Sequence, residues 1–150
     1  MLKRSFTFAL LAMLACATFA VQAKTVTIEG TDSLRFSVEK ITVKPGEKVT
    51  VKLVNKTDMP AAAMSHDWVL LKQDADPKAY DHAAQSAKDN GYIPESKSDE
   101  VIAHTGLVAG GESDSVTFTA PEDSGKYPYI CTFPGHFAAG MTGNLIVKSE

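Results

Sequence analysis

Three side chains that can bind a transition metal lie close together near the C-terminus, in the stretch YICTFPGHFAAGMTG. Cys131 follows an apolar segment, His136 comes five residues later, and Met141 follows after five more. A loop at the end of a strand, tightened by Pro134 and Gly135, could fold all three side chains onto one point. Thiolate, imidazole and thioether ligands suit copper, zinc or iron. The stretch therefore predicts a transition-metal site.

A second imidazole has to come from elsewhere in the chain. His66, in AAAMSHDWVLL, stands where a further strand should begin. Two His and one Cys with a weak axial Met form the trigonal arrangement of blue copper electron-transfer sites. The alternatives fit the residues less well. Zinc more often has further thiolates or a carboxylate, and a Cys–His hydrolase needs an oriented base and an oxyanion hole that CTFPGH does not suggest.

The segments that would carry these donors alternate apolar and polar residues, which is the period of a β-strand. The alternation runs through KTVTIEG, LRFSVEKITVKPGEKVTVKLV, DWVLLK, SDSVTFTA, YPYIC and NLIVK, and the second of these is interrupted by a predicted turn at Pro45 and Gly46. Short alternating strands separated by turns are typical of an all-β sandwich or barrel. One segment differs: Asp76 as the cap and Pro77 as the first helical residue predict one short inserted helix over about 77–88, packed on the outside.

The first 23 residues have the composition of a signal peptide. Lys3 and Arg4 precede an apolar run, and VQA supplies small residues at the −3 and −1 positions of a cleavage site after Ala23. We therefore expect export to the periplasm and one mature domain over residues 24–150. As an alternative, MLAC resembles a lipoprotein signal, which would tether the protein to a membrane through Cys16.

The mature chain would be acidic and would carry a single thiol. Without the two cations of the signal it has 13 Lys and Arg against 18 Asp and Glu, a formal charge of about −5. This balance argues against a nucleic-acid partner, because phosphate contacts need a basic face. Cys131 is the only remaining cysteine, and an oxidising compartment favours a metal-bound or buried thiol. Nothing in the sequence demands more than a monomer.

YICTFPGH with a downstream Met resembles the copper-ligand loop of azurins and auracyanins, in the cupredoxin family, and MPAAAMSHDWVL is similar to the segment of their first ligand. With VIAHT and GESDSVTF, the similarity spans roughly residues 41–147. It implies an eight-stranded Greek-key β-sandwich that binds one copper at one end. It also implies three strong ligands and two weaker contacts. These are His66, Cys131 and His136, then Met141 as the axial ligand and the carbonyl of Ser65 on the opposite side.

The chain departs from azurins in several respects. Four residues rather than three separate the loop His from the Met, as in auracyanins, and the N-terminal disulfide is absent. Ser65 stands where azurins usually have Gly, and Asp67 where they have an Asn that ties the two ligand segments together. Asp67 could accept a hydrogen bond from the Thr132 region but could not donate one. By resemblance, the backbone N–H groups of Asp67 and Phe133 would donate to the sulfur of Cys131.

The resemblance implies an exported carrier of single electrons, cycling between Cu(I) and Cu(II), and not an enzyme. Redox partners of the cytochrome or copper-enzyme type would dock at an apolar patch near His136, Phe137 and Met64, with Phe137 exposed. Weak redox encounters need only small interfaces. The second hypothesis is a periplasmic copper-binding or copper-delivery protein. Such carriers tend to expose Met- or His-rich clusters, and this chain has none.

Overall fold

Two β-sheets pack face to face in the computed structural model, which describes residues 23–149. The eight strands are β1 (Lys24–Gly30), β2 (Lys40–Val43), β3 (Lys48–Asn55), β4 (Val69–Leu71), β5 (Val101–His104), β6 (Ser113–Thr119), β7 (Gly125–Ile130) and β8 (Thr142–Val147). The predicted eight-stranded sandwich is confirmed. The expected signal peptide, with Cys16, lies outside the described residues apart from Ala23.

The strand order brings the ends of four strands together at one end of the sandwich. The smaller sheet has the order β1-β3-β6, and the larger sheet has the order β2-β8-β7-β4-β5. β1 pairs with β3 in parallel, so that Gly30 lies opposite Asn55, where both strands end. In the larger sheet, β7 ends at Ile130 opposite Thr142, where β8 begins. The segments that follow these strands therefore meet at the same end, and they carry the candidate metal donors.

The main core lies between the sheets and is built by the alternation that the sequence shows. In β3, Val49, Val51 and Leu53 are fully buried while the residues between them face outward. Trp68 is also fully buried, with its ring 5.4 Å from that of Tyr129. Burying one such large apolar side chain stabilises a fold by roughly 1.5–3 kcal/mol. The core therefore provides a stiff support for the end of the sandwich.

The predicted helix is present but shorter than expected. α2 (Pro77–Ala84) begins after Asp76, whose carboxylate accepts the backbone N–H of Lys78 at 2.9 Å. A 3₁₀ turn then covers Lys88–Asn90. The helix packs on the outer face of the larger sheet, as predicted, where Tyr80 covers a second apolar cluster. Between residues 23 and 149, no helix has the length and apolarity needed to cross a bilayer.

Two features differ from the sequence prediction. Two further α-helices of one turn each are present, α1 (Ala61–Met64) and α3 (His136–Ala139), and a second 3₁₀ segment covers Glu95–Glu100. Four residues are too few to show a helical period. The alternation over 34–38 suggested a strand, but this segment is a loop that makes one isolated bridge, between Gly30 and Phe36. Phe36 is buried and Leu34 has a φ of 55°, so one anchored side chain produced the apparent strand pattern.

Candidate metal centre

The segment of His66 is fixed from both sides by backbone and amide hydrogen bonds. His66, between α1 and β4, exchanges two backbone bonds with Val108, at 3.0 and 2.7 Å. Asn55, buried at the end of β3, donates its side-chain amide to the carbonyls of Met64 (2.9 Å) and Val108 (3.0 Å). A buried amide satisfied in this way holds the chain in one conformation. The imidazole of His66 therefore projects from a rigid support.

The loop after β7 closes on itself in the way that the spacing predicts. The N–H of Cys131 donates to the carbonyl of Met141 (3.1 Å), and the N–H of Met141 donates to the carbonyl of His136 (3.0 Å). A third bond, from the N–H of His136 to the carbonyl of Phe133 (3.0 Å), closes the turn before α3. Cys131 and Met141 are fully buried, and His136 is 4% exposed. The side chains of all three predicted donors of this loop are therefore buried at this end of the sandwich.

Three donor atoms form a triangle of the size that one metal ion requires. The two Nδ1 atoms of His66 and His136 are 3.1 Å apart. The sulfur of Cys131 lies 3.5 Å from Nδ1 of His136 and 3.9 Å from Nδ1 of His66. Protein ligands bind an ion such as zinc at about 2.0–2.1 Å through nitrogen and about 2.3 Å through sulfur, which gives edges of this length. The three side chains are therefore placed for metal binding.

Met141 and Gly30 complete the surroundings of the triangle. A Cβ atom at Gly30 would lie 2.6 Å from Cδ2 of His66 and 3.1 Å from Cε of Met141. The thioether methyl of Met141 therefore lies close to the imidazole of His66, where β1 ends. Ser65, which precedes His66, is buried, and its hydroxyl donates to the carbonyl of Ala61 at 2.8 Å.

Burial keeps both imidazoles in the form that binds metals. Desolvation, together with the nearby His136, lowers the pKa of His66 to about 4, and the carboxylate of Asp32 opposes this shift. Desolvation also lowers the pKa of His136. Both rings are therefore neutral at pH 7, and only neutral imidazole offers a nitrogen lone pair to a metal.

The thiol of Cys131 is held in its protonated form. Burial raises its pKa well above the usual value, and the neighbouring carboxylate of Asp67 raises it further. The backbone N–H groups of Asp67 and Phe133 donate to the sulfur, as the resemblance implies, and they oppose this shift. A metal that binds the thiolate must therefore displace a proton.

Asp67 links the two donor segments as an acceptor of hydrogen bonds. Its carboxylate is fully buried and accepts the backbone N–H of Thr132 at 2.6 Å and, through its other oxygen, the hydroxyl of Thr132. Burial raises the pKa of Asp67 to about 6, although the two hydrogen bonds from Thr132 and one from the thiol of Cys131 favour the charged form. The predicted acceptor role is confirmed, and it places a negative charge beside Cys131 above this pKa.

The surface near His136 differs from the prediction at one residue. Phe137 is half-buried and packs against the second apolar cluster, beside Val69 and Ile130, so the prediction that it is exposed is wrong. Exposed apolar area is provided instead by Met59 (42% exposed) and Leu107 (39%). A cavity of about 210 Å³ lies on this surface and is lined by Ala61, Ala62, Lys88, Tyr92, Leu107 and Phe133. The ring of Phe133 is 4.8 Å from that of His136.

Sequence reasoning missed Asn55, Gly30 and Arg35 at this end of the sandwich. A signal existed for Asn55, because it continues the buried alternation of β3 and is the one polar residue on that face. Gly30 ends β1 without any local signal for a close contact. Arg35 contacts the carbonyl of Ala139, which is 104 residues away in the chain, and no local pattern reports such a contact.

A β-sandwich that buries two His and one Cys beside a Met has the structural features of a blue copper domain. The family described as copper binding proteins, plastocyanin/azurin family, matches residues 22–148. The chain belongs to this family, and its cofactor is copper. Membership places it among the blue copper electron-transfer proteins.

Similar proteins include azurins and auracyanins. Azurin of Pseudomonas fluorescens biotype C is 38% identical over 127 residues, which cover 82% of this chain and 97% of that protein. Auracyanin-B of Chloroflexus aurantiacus is 36% identical over 127 residues, covering 83% of this chain and 52% of that protein. The solved structure of auracyanin A, a "blue" copper protein from Chloroflexus aurantiacus, has a TM-score of 0.75 and 35% identity, and covers 85% of this chain and 100% of that one.

Proposed function

We propose that the protein is an exported carrier of single electrons that holds one copper through His66, Cys131 and His136, with Met141 as a weak axial ligand. The observation that carries the proposal is the buried triangle of two Nδ1 atoms and one sulfur, with edges of 3.1, 3.5 and 3.9 Å. Copper, when bound, supplies a reversible one-electron step between Cu(I) and Cu(II). The carbonyl of Ser65 is the candidate for a further weak contact.

The residues of this chain would keep the ligand geometry the same in both oxidation states. Asn55 and Val108 hold the segment of His66, and the backbone bonds of the loop hold Cys131 and Met141. Electron transfer is fast when little has to move, so a support of this stiffness suits a carrier. A delivery protein would need accessible donors for handover, and burial of the donors disfavours that alternative.

The exposed apolar surface near His136 is the proposed docking site for redox partners of the cytochrome or copper-enzyme type. We define this copper-end patch by Met59, Leu107, Ala62 and Met64, and His136 would be the exit for the electron because it is the least buried of the three strong donors. A small apolar contact without charge pairing suits a short-lived encounter. Leu107→Glu should slow electron exchange between oxidised and reduced copies of the protein by about tenfold or more. Leu107→Met is the matched control, and equal rates for both variants would contradict this docking site.

Export and processing belong to the same proposal. We propose that residues 1–23 are removed and that residues 24–150 act in the periplasm, with lipid attachment at Cys16 as the alternative. The intact mass of the protein purified from its host distinguishes the two. A chain that begins at Lys24 supports cleavage, whereas a chain that begins with a lipid-modified Cys16 would place the carrier at a membrane.

The test of the copper site is a Cu(II) titration of the purified mature protein, followed by visible absorption. We expect an intense blue thiolate-to-copper band that saturates at one copper per chain and is absent in Cys131→Ser. His82→Gln, which removes an exposed imidazole on α2, is the matched control and should keep the band. A pale spectrum, or copper that leaves during cycles of reduction and oxidation, would refute the carrier and favour copper delivery.

A further inference from the structure

The loop between β1 and β2 reaches across the end of the sandwich and contacts the segment between His136 and Met141. Arg35, in this loop, donates from Nη1 to the carbonyl of its neighbour Leu34 (2.9 Å) and to the carbonyl of Ala139. Ala139 is the last residue of α3 and lies two positions before Met141. Carbonyl groups at the end of a helix lack partners within it, and a cation is favourable there. The guanidinium of Arg35 satisfies one of them.

The contact extends from the carbonyl of Ala139 to the backbone of the next residue. Gly140 has a φ of +105°, and a Cβ atom placed on it would lie 2.8 Å from both Cζ and Nη1 of Arg35 and 3.0 Å from Nη2. Glycine alone tolerates both the positive φ and this close approach. Arg35 and Gly140 therefore fit one another, directly before Met141.

Arg35 itself projects from a loop that is held at both ends. Leu34 donates its N–H to the carbonyl of Thr31 at 3.0 Å in a tight turn with positive φ. On one side of Arg35, Phe36 is buried in the main core; on the other side, Gly30 lies beneath His66 and Met141. The loop therefore fixes the position of Arg35 relative to the sheet, and Arg35 contacts the segment that carries Met141.

We propose that Arg35 is a positioning residue that sets how far the thioether of Met141 stands from copper, an inference that rests on the proposed blue copper function. An axial thioether is a weak and long ligand, so the protein rather than the ligand bond decides its position. The segment before Met141 is a single helical turn that ends at Gly140, and its backbone hydrogen bonds run within the loop itself. The guanidinium of Arg35 adds a support from outside the loop.

The test compares Arg35→Met, Arg35→Lys and a control, Lys48→Met. Lys48 is exposed at the start of β3, and about 23 Å of strand separates it from Asn55 at the copper end. The control therefore removes one positive charge without touching the loop. Arg35→Lys keeps the charge but loses the planar fork that contacts two carbonyls and Gly140. Thermal unfolding first verifies that each variant is folded.

The first measurement uses the metal-free protein and therefore does not depend on copper. The amide N–H groups of Gly140 and Met141 donate to Phe137 and His136, so their hydrogen exchange reports the order of the segment. We expect both amides to exchange about tenfold faster in Arg35→Met, which corresponds to the loss of one ordinary hydrogen bond. Arg35→Lys should be intermediate, and Lys48→Met should match the unmodified protein.

The second measurement uses the copper-loaded protein and follows the relative intensities of the visible bands and the reduction potential. A displaced axial ligand should change both in Arg35→Met, and to a smaller degree in Arg35→Lys. Two outcomes overturn the proposal. One is unchanged exchange and unchanged spectra in Arg35→Met and Arg35→Lys. The other is a potential shift in Arg35→Met with Arg35→Lys unaffected in both measurements, which would mean that the charge alone matters. Absence of a blue band in the unmodified protein would refute the proposed function, whereas the exchange rates would still decide whether Arg35 orders the segment.

Discussion

Asp67→Asn removes a buried negative charge with almost no change in the size of the side chain. The carboxylate of Asp67 now accepts the N–H and the hydroxyl of Thr132. An amide oxygen can still accept the N–H, and the hydroxyl can rotate to accept a hydrogen bond from the amide NH₂ group, because a hydroxyl is both donor and acceptor. The hydrogen bonds that link the two donor segments should therefore survive, and the substitution isolates the effect of the charge.

The size of the effect follows from the raised pKa of Asp67. Burial raises it from 3.8 to about 6, and a difference of about 2 pK units between the folded and unfolded chains corresponds to about 3 kcal/mol. Between these two pKa values the folded state binds more protons than the unfolded state, so the free energy of unfolding falls as the pH rises. The cost is absent well below pH 4 and complete above about pH 7. Asp67→Asn should therefore stabilise the metal-free protein by up to about 3 kcal/mol at pH 7.5 and by little at pH 4.

Urea unfolding of the metal-free protein at pH 4 and pH 7.5 measures this difference directly. Metal must be absent because copper binding adds its own pH-dependent stability. Asp99→Asn, which removes an exposed carboxylate, shows what the loss of one negative charge does at the surface. If Asp67→Asn gave the same change in the free energy of unfolding at both pH values, or if Asp99→Asn reproduced its pH dependence, the cost of the buried charge would not be the cause.

Three further predictions concern the donors themselves. Copper uptake at pH 7 should release about one proton per ion, because the pKa of Cys131 is raised while His66 is already neutral. A pH indicator measures the released protons, and no release would mean that the thiolate is already formed before copper binds. Met141→Leu should keep the blue band, cost less than about 1.5 kcal/mol and raise the reduction potential in voltammetry, because a donor to Cu(II) is replaced by hydrocarbon. Met64→Leu is its control and should leave the potential unchanged. Gly30→Ala should destabilise the metal-free protein by about 1–3 kcal/mol in urea unfolding, because the added Cβ would lie 2.6 Å from the His66 ring. Unchanged stability would mean that the imidazole ring can move away from the added methyl group.

The donors could be predicted from the sequence because their chemistry is local. Cys131, His136 and Met141 share one loop of eleven residues. The sequence predicts that His66 begins a strand, but in the structure it lies three residues before β4 and makes an isolated bridge to Val108. The strands were recognisable because burial between two sheets imposes a period of two residues. The same rule failed at 34–38, where a single buried Phe imitates a strand from within a loop.

The remaining parts of the site depend on contacts between distant segments. Asn55 bonds to Val108 across 53 positions, and Arg35 reaches Ala139 across 104. Such contacts are set by the strand order, which a single sequence does not contain. The same reason explains why α1 and α3 could not be predicted from the sequence. Each is one turn long, and α3 is flanked by Gly135 and Gly140, both with positive φ, so its shape is fixed by the loop it closes rather than by a helical pattern.

These long-range contacts determine what copper has to do in the folded protein. Cys131 and His66 are separated by 65 residues and flank β7 and β4, which are neighbouring strands of the larger sheet. An ion that binds both would cross-link these two segments, and at a thousandfold excess over its dissociation constant it would add about 4 kcal/mol of stability. Yet Asn55, Asp67 and the backbone bond from Cys131 to Met141 already hold these segments in place through protein atoms alone. The fold, and not the ion, therefore sets the positions of the donors. An electron carrier needs donors that the fold holds in place, because a site whose shape depended on its metal would have to rearrange each time an electron arrived or left.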